Sequence, residues 1–164
     1  MVFENLARHY SMPNILDLKL GIRQYSDNAS DEKKKLQILK CERSTSKKLG
    51  LRVCGLQYFD EKADSFEYVD KYHGRNLSEK GLYSMFAHFF KSSDGKPRIN
   101  DCLQLIKQIE KIKEVVQSMP GLRLFGVSML IILEGQSNLP TLAVRIFLFL
   151  KINYYYFFRI QLPN

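Results

Sequence analysis

Residues 13–21 read Pro-Asn-Ile-Leu-Asp-Leu-Lys-Leu-Gly, and the pattern of that stretch decides the fold. From Asn14 to Leu20 apolar and polar side chains alternate, the two-residue period of a strand with one buried face, and Gly21 supplies the break that ends it. Asp17 and Lys19, two apart, therefore point to the same side. An acid and a base so placed are more often a cross-strand surface pair than a charged site, and the spacing by itself favours the surface pair.

Working outward, Ser30 followed by Asp31 and Glu32 opens a helix that runs to about Arg43, with acids at the positive end of its dipole. On that helix Lys33, Gln37, Lys40 and Ser44 form one stripe. Leu51 to Phe59 and Phe66 to Asp70 read as two strands joined by the acidic turn of residues 60–64. Ser78 caps a helix through about Phe90. Asn100 caps a longer one in which Leu103, Ile106, Ile109, Ile112, Val116 and Met119 keep helical spacing until Pro120 and Gly121 stop it. Leu122 to Leu133 is then a buried strand, and the class is α+β.

The chain has 164 residues, 45% of them apolar and 26% charged, which is the composition of one globular domain with a core. Twenty-five Lys and Arg against 17 Asp and Glu leave a formal charge of +8, so an anionic partner is expected. Most of that charge lies between Lys33 and Arg52, where Glu42 is the only acid. The run lacks the interleaved aromatics of a single-strand-binding surface, which makes a compact polyanion a better fit than a specific nucleic acid. Cys41, Cys54 and Cys102 have neither an even count nor a C-x-x-C spacing, so a reducing compartment, cytoplasm or nucleus, is expected. His9, His73 and His88 have no metal-ligand spacing. No basic end precedes an apolar stretch at residues 1–10, and no run of about 18 apolar residues occurs, so a soluble chain with no membrane span is expected. Oligomeric state is not readable from the sequence.

Pro13, Asp17, Lys19 and Gly21 together spell P-x-x-x-D-x-K-x-G. With the stretches at residues 21–55 and 70–81, the chain resembles the inositol polyphosphate kinase family, and within it the inositol hexakisphosphate kinases, over roughly Phe3 to Gly135. The resemblance implies ATP-dependent, magnesium-assisted phosphoryl transfer to a soluble inositol polyphosphate on a two-lobed, kinase-like fold. Lys19 would contact the transferred phosphoryl group and the substrate, and Asp17 would lie on the nucleotide side. Lys33, Lys34 and Lys40 match basic positions of the family's substrate-binding segment. Glu4, Asn5 and Leu6 match its hinge, where main-chain groups meet adenine.

Departures from the family pattern are equally informative. The hinge match stands at the very start of the chain, so a C-terminal-lobe fragment without the N-terminal lobe is expected, occupying residues 1–146. Val144, Arg145 and Ile146 are followed by Phe147, Leu148 and Phe149, with Leu148 where the family carries its magnesium-binding aspartate; a leucine cannot ligate a hard cation that demands oxygen. No metal ligand is therefore assigned. Residues 147–164, crowded with aromatics and without regular period, read as an aberrant tail outside the evolved domain. A disabled kinase fragment and a non-catalytic inositol-polyphosphate-binding module are the two resulting expectations.

Overall fold

The structure is a computed structural model that describes residues 5–119, 121, 124–136 and 145–149. The elements follow in the order β1 (Pro13–Leu20), α1 (Asp31–Glu42), α2 (Ser46–Leu49), β2 (Leu51–Asp60), β3 (Ser65–Val69), α3 (Lys71–Asn76), α4 (Glu79–Phe89), α5 (Ile99–Gln117), β4 (Ser128–Glu134) and β5 (Arg145–Phe149). The five strands form one antiparallel sheet in the order β3-β2-β1-β4-β5, so the stretch that opened the reading is its central strand.

Alternation along β1 separates the two faces. Leu16 and Leu18 pack with Val53, Leu56 and Met129 on one side, under Leu82 and Phe89 of α4 and Leu105 and Ile112 of α5. Each such buried leucine contributes about 1.5–3 kcal/mol. A smaller cluster covers part of the other side, where Leu6 and Tyr10 pack over Ile15, Leu130 and Ile132. Gly21 then breaks the strand with φ +88°, in the left-handed region that residues with a Cβ avoid, and its N–H donates to Gly50 O at 2.7 Å.

Local signals placed several elements well. The Ser30 hydroxyl accepts from Lys33 N and caps α1, and Ser78 accepts from Gly81 N to cap α4. Two short helices, α2 and α3, were not expected; each is about one turn, too short for a hydrophobic period to reveal. Helix α5 begins at Ile99 rather than after Asn100, because Arg98 pairs with Asp101 in the first turn and also donates to the carbonyl of Glu134, tying the helix start to the end of β4. Its expected buried stripe is also corrected. Leu103, Ile106 and Ile109 are 51, 50 and 38% exposed and Leu105 enters the core in their place, whereas Ile112 is buried and Val116 packs against the core as the spacing implies.

Strand β4 starts at Ser128, six residues later than expected; Leu122 and Arg123 lie outside the described residues. Residues 145–149 form β5, which takes in Phe147 to Phe149, the first three residues of the expected tail. A ladder needs only backbone pairing, so an edge strand forms without the alternation a sequence pattern looks for. Residues 150–164 of the expected tail lie outside the described residues. Phe147, Leu148 and Phe149 pair with Leu130, Met129 and Ser128. At roughly 0.2–1 kcal/mol per cross-strand pair and about 2–4 °C per kcal/mol for a domain of this size, a chain ending at Ile146 is expected to melt a few degrees below one ending at Phe149. Equal melting temperatures in scanning calorimetry would remove β5 from the stabilising sheet.

Candidate functional site

On the side of β1 opposite the main core, Asp17 and Lys19 stand beside the Leu6 and Tyr10 cluster. A β-bulge fixes how they are presented: Asp17 pairs with Gly55 and Leu18 with Val53, leaving Cys54 as the extra residue of β2. Burial raises the Asp17 pKa above its ordinary 3.8, with the Lys19 charge and a hydrogen bond from Ser128 opposing the rise. Asp17 Oδ1 is buried and has no hydrogen-bond partner. The Cys54 thiol is likewise pushed up, first by burial and then by the Asp17 charge, so it is not an activated nucleophile. Lys19 Nζ donates to the carbonyl oxygen of Gly126, which draws the loop before β4 over the end of β1.

The expected hinge lies along the same face. Glu4 falls outside the described residues. The Asn5 side chain accepts from Ala7 N at 3.0 Å and starts a turn, and Leu6 packs beside Ile15 and Leu130. Leu130 is the register partner of Asp17 on β4, so the Leu6 segment passes next to the charged pair. A clamp that sequence reasoning missed holds this segment: buried Glu134 accepts from Ser11 N at 2.7 Å and Met12 N at 2.9 Å. Beside it Gly135 N donates to Met12 O at 2.7 Å, so close that an added Cβ would stand 2.3 Å from that oxygen. Glu134 looked like the end of an apolar strand, and no local signal marks a carboxylate that caps a segment more than 120 residues away.

The basic residues of α1 are less converged. Lys33 is exposed and Lys40 half-buried, and neither ammonium forms a salt bridge among the described residues. Lys34 pairs with Asp31 at 3.6 Å on its own helix. Lys33 and Lys40, two turns apart, share a stripe. Further along, Lys47 pairs with Glu42 at 3.8 Å and Lys48 with Glu79 at 2.7 Å. In β5, Leu148 shares a register row with Met129 and Leu18, whereas the row of Asp17 and Leu130 ends at Phe147. Neither position, nor any other in β5, carries a carboxylate. Among the described residues no group of three His, Cys, Asp or Glu side chains is arranged to hold a metal ion, and no helix is long and apolar enough to cross a membrane.

The arrangement is thus an antiparallel sheet with helices over one face and an acid-lysine pair on the other, beside a short turn-forming segment. The family model for inositol polyphosphate kinases matches residues 1–152, and the chain belongs to that family. It is 36% identical over 139 residues to inositol hexakisphosphate kinase 2 of Homo sapiens and 37% identical over 137 residues to inositol hexakisphosphate kinase 3 of Mus musculus. Those matches cover 84% and 83% of this chain and 32% and 34% of the relatives, so the chain spans about a third of their length. An inositol phosphate multikinase structure superposes with a TM-score of 0.71 at 22% identity, covering 90% of this chain and 70% of the other, which speaks for the fold alone. The inositol phosphate multikinase of S. cerevisiae, solved with ADP and Mn2+, gives a TM-score of 0.64 at 28% identity over 82% of this chain and 59% of its own.

Because burial raises the folded-state pKa of Asp17, the protonated group stabilises the fold below the ordinary carboxylate pKa of 3.8, and that contribution is lost as pH rises through the folded value. At neutral pH the ionised side chain is thus a cost. Asp17→Asn is expected to raise the melting temperature at pH 7, with the gain shrinking as the pH falls through the raised folded value and absent below about 4. A melting temperature lowered at pH 7 would mean that the Lys19 pair outweighs desolvation.

Proposed function

We propose that the chain is the substrate-binding portion of an inositol hexakisphosphate kinase-like protein, whose reaction moves a phosphoryl group from ATP to a soluble inositol polyphosphate to give a pyrophosphate, and that this chain by itself is disabled for that transfer. The observation that carries this reading is Lys19, half-buried and held by the Gly126 carbonyl beside Asp17, together with Lys33 and Lys40 of α1, which form no salt bridge among the described residues. Phosphoryl transfer is mainly positioning and charge stabilisation, so cations aimed at the phosphate oxygens do most of what a protein can do. Lys19 would meet the transferred group, Lys33 and Lys40 would hold the other phosphates of the ring, and Lys34 would join them once released from Asp31. Adenine would lie along the turn at Asn5 and Leu6, against the apolar cluster of Leu6, Ile15 and Leu130. Preference for a compact polyanion over duplex nucleic acid belongs to the same proposal, as does a reducing cytoplasmic or nuclear setting, supported by three free cysteines.

A divalent cation, when bound with the nucleotide, would neutralise charge on the phosphates. Asp17, whose Oδ1 lacks a partner, is the side chain that fits such an ion here, and β5 adds no carboxylate. That shortage favours the second reading, in which this chain binds inositol polyphosphate without turning it over. Asp17 and Lys19 then act only in binding.

Calorimetry with inositol hexakisphosphate at two salt concentrations tests the binding step. Each of Lys19→Ala, Lys33→Ala and Lys40→Ala is expected to lose about 1.5–3 kcal/mol, roughly ten- to a hundredfold in affinity, and less at high salt. Unchanged affinity in all three would remove the pocket, and tighter binding of duplex DNA than of the inositol phosphate would replace it with a nucleic-acid role. Incubation with ATP and magnesium is expected to yield no ADP above an Asp17→Ala, Lys19→Ala control. ADP formed by the unaltered chain would reject the binding-only reading.

A further inference from the structure

Helix α1 carries the lysines but has little to hold it. Cys41 is its only buried residue, and Leu36, Ile38 and Leu39 on its surface are exposed. A helix with so small a buried face is located by its two ends rather than by its flank. The segments that lead into and out of α1 both contribute to one buried polar cluster. Gln24, in the loop before α1, is 7% exposed, and its Nε2 donates to Gly21 O at 2.9 Å and to Ser46 Oγ at 3.3 Å. Ser46 opens α2, just beyond the other end of α1, and is fully buried. Arg52 on β2, 6% exposed, completes the cluster: its Nη1 donates to Gln24 Oε1 at 2.6 Å and to Ser46 Oγ at 3.2 Å.

Two features connect the cluster to Lys19. Arg52 is the register partner of Lys19 across β1 and β2. On the other flank, Gly126, whose carbonyl accepts from Lys19 Nζ, packs against the Gln24 backbone so closely that an added Cβ would lie 3.3 Å from Gln24 O and 3.6 Å from Lys19 Nζ. Arg52 is also energetically conspicuous, since its guanidinium is buried among amide, hydroxyl and thiol partners without a carboxylate among the described residues, and burial is the main cause lowering its pKa.

We infer that Gln24, Ser46 and Arg52 form a positioning clamp that closes both ends of α1 onto β2 and so fixes the α1 lysines relative to Lys19. None of the three touches a phosphate; they set the distance over which two groups of cations can grip one polyanion. This inference rests on the proposed inositol polyphosphate site for its functional consequence, but the mechanical part stands without any ligand.

The 164-residue chain is tested in two ways. Without ligand, amide hydrogen exchange in Gln24→Ala is expected to be about tenfold faster across Lys33 to Lys40, with β1 and α4 unchanged. With inositol hexakisphosphate in calorimetry, Gln24→Ala is expected to weaken binding about tenfold in the parent chain but less than about twofold in a Lys19→Ala background, where the spacing no longer matters. A merely structural residue would give the same loss in both backgrounds. Gln24→Glu, which keeps the acceptor facing Arg52, is expected to restore affinity to within about twofold of the parent; it also serves if Gln24→Ala fails to melt cooperatively, since Ser46→Ala beside it then supplies the loosened clamp. Unaltered exchange in α1, or equal affinity losses in the two Lys19 backgrounds, overturns the clamp. If the parent chain does not bind the inositol phosphate, the proposed site fails, and exchange alone decides the clamp.

Discussion

The two-residue period of β1 governs both stability and chemistry. A central strand paired on both sides cannot slip by one residue without moving Leu16 and Leu18 out of the core and Asp17 and Lys19 into it. Burying two uncompensated charges would cost more than the leucines contribute. The same hydrophobic constraint that organises the sheet therefore fixes which side carries the charged pair.

Around that strand the molecule accepts several local costs. Asp17 is partly desolvated with one oxygen unpartnered, Arg52 is buried without a carboxylate, and a bulge at Cys54 interrupts the ladder between them. All three lie within a few residues of Lys19 in the register of β1 and β2. Such departures from minimum energy gather where a fold holds a binding arrangement, because a side chain fully satisfied by its neighbours has nothing left to offer a ligand.

Stable and loosely packed parts are divided accordingly. Helices α4 and α5 lie against the core face, while α1 has one buried residue and depends on polar contacts at its ends. Long-range polar ties do comparable work at the opposite end of β1, where Glu134 and Gly135 hold the segment of Asn5 to Met12 across the sheet. Each of these ties joins a loop to a strand end, where an unsatisfied backbone group is available and hydrophobic packing is thin.

Strand period in residues 14–20, the serine caps at Ser30 and Ser78 and the P-x-x-x-D-x-K-x-G spacing were legible in the sequence, since each depends on neighbours within about four positions. They were enough for the α+β class, the existence of the strand, the family, and Asp17 and Lys19 on a shared face, while its central place in the sheet came from pairing. Only the tertiary structure decided the rest. It put Leu105 in the core where Leu103, Ile106 and Ile109 were expected, made a strand of Arg145–Phe149, drew Gly126 to Lys19, and set Glu134 against the backbone of Ser11 and Met12. The physical reason is common to all four. Which apolar positions of a helix are covered, which edge pairs, and which distant backbone group meets a lysine or a carboxylate depend on surfaces assembled from residues up to about a hundred positions apart, and local spacing carries no record of them.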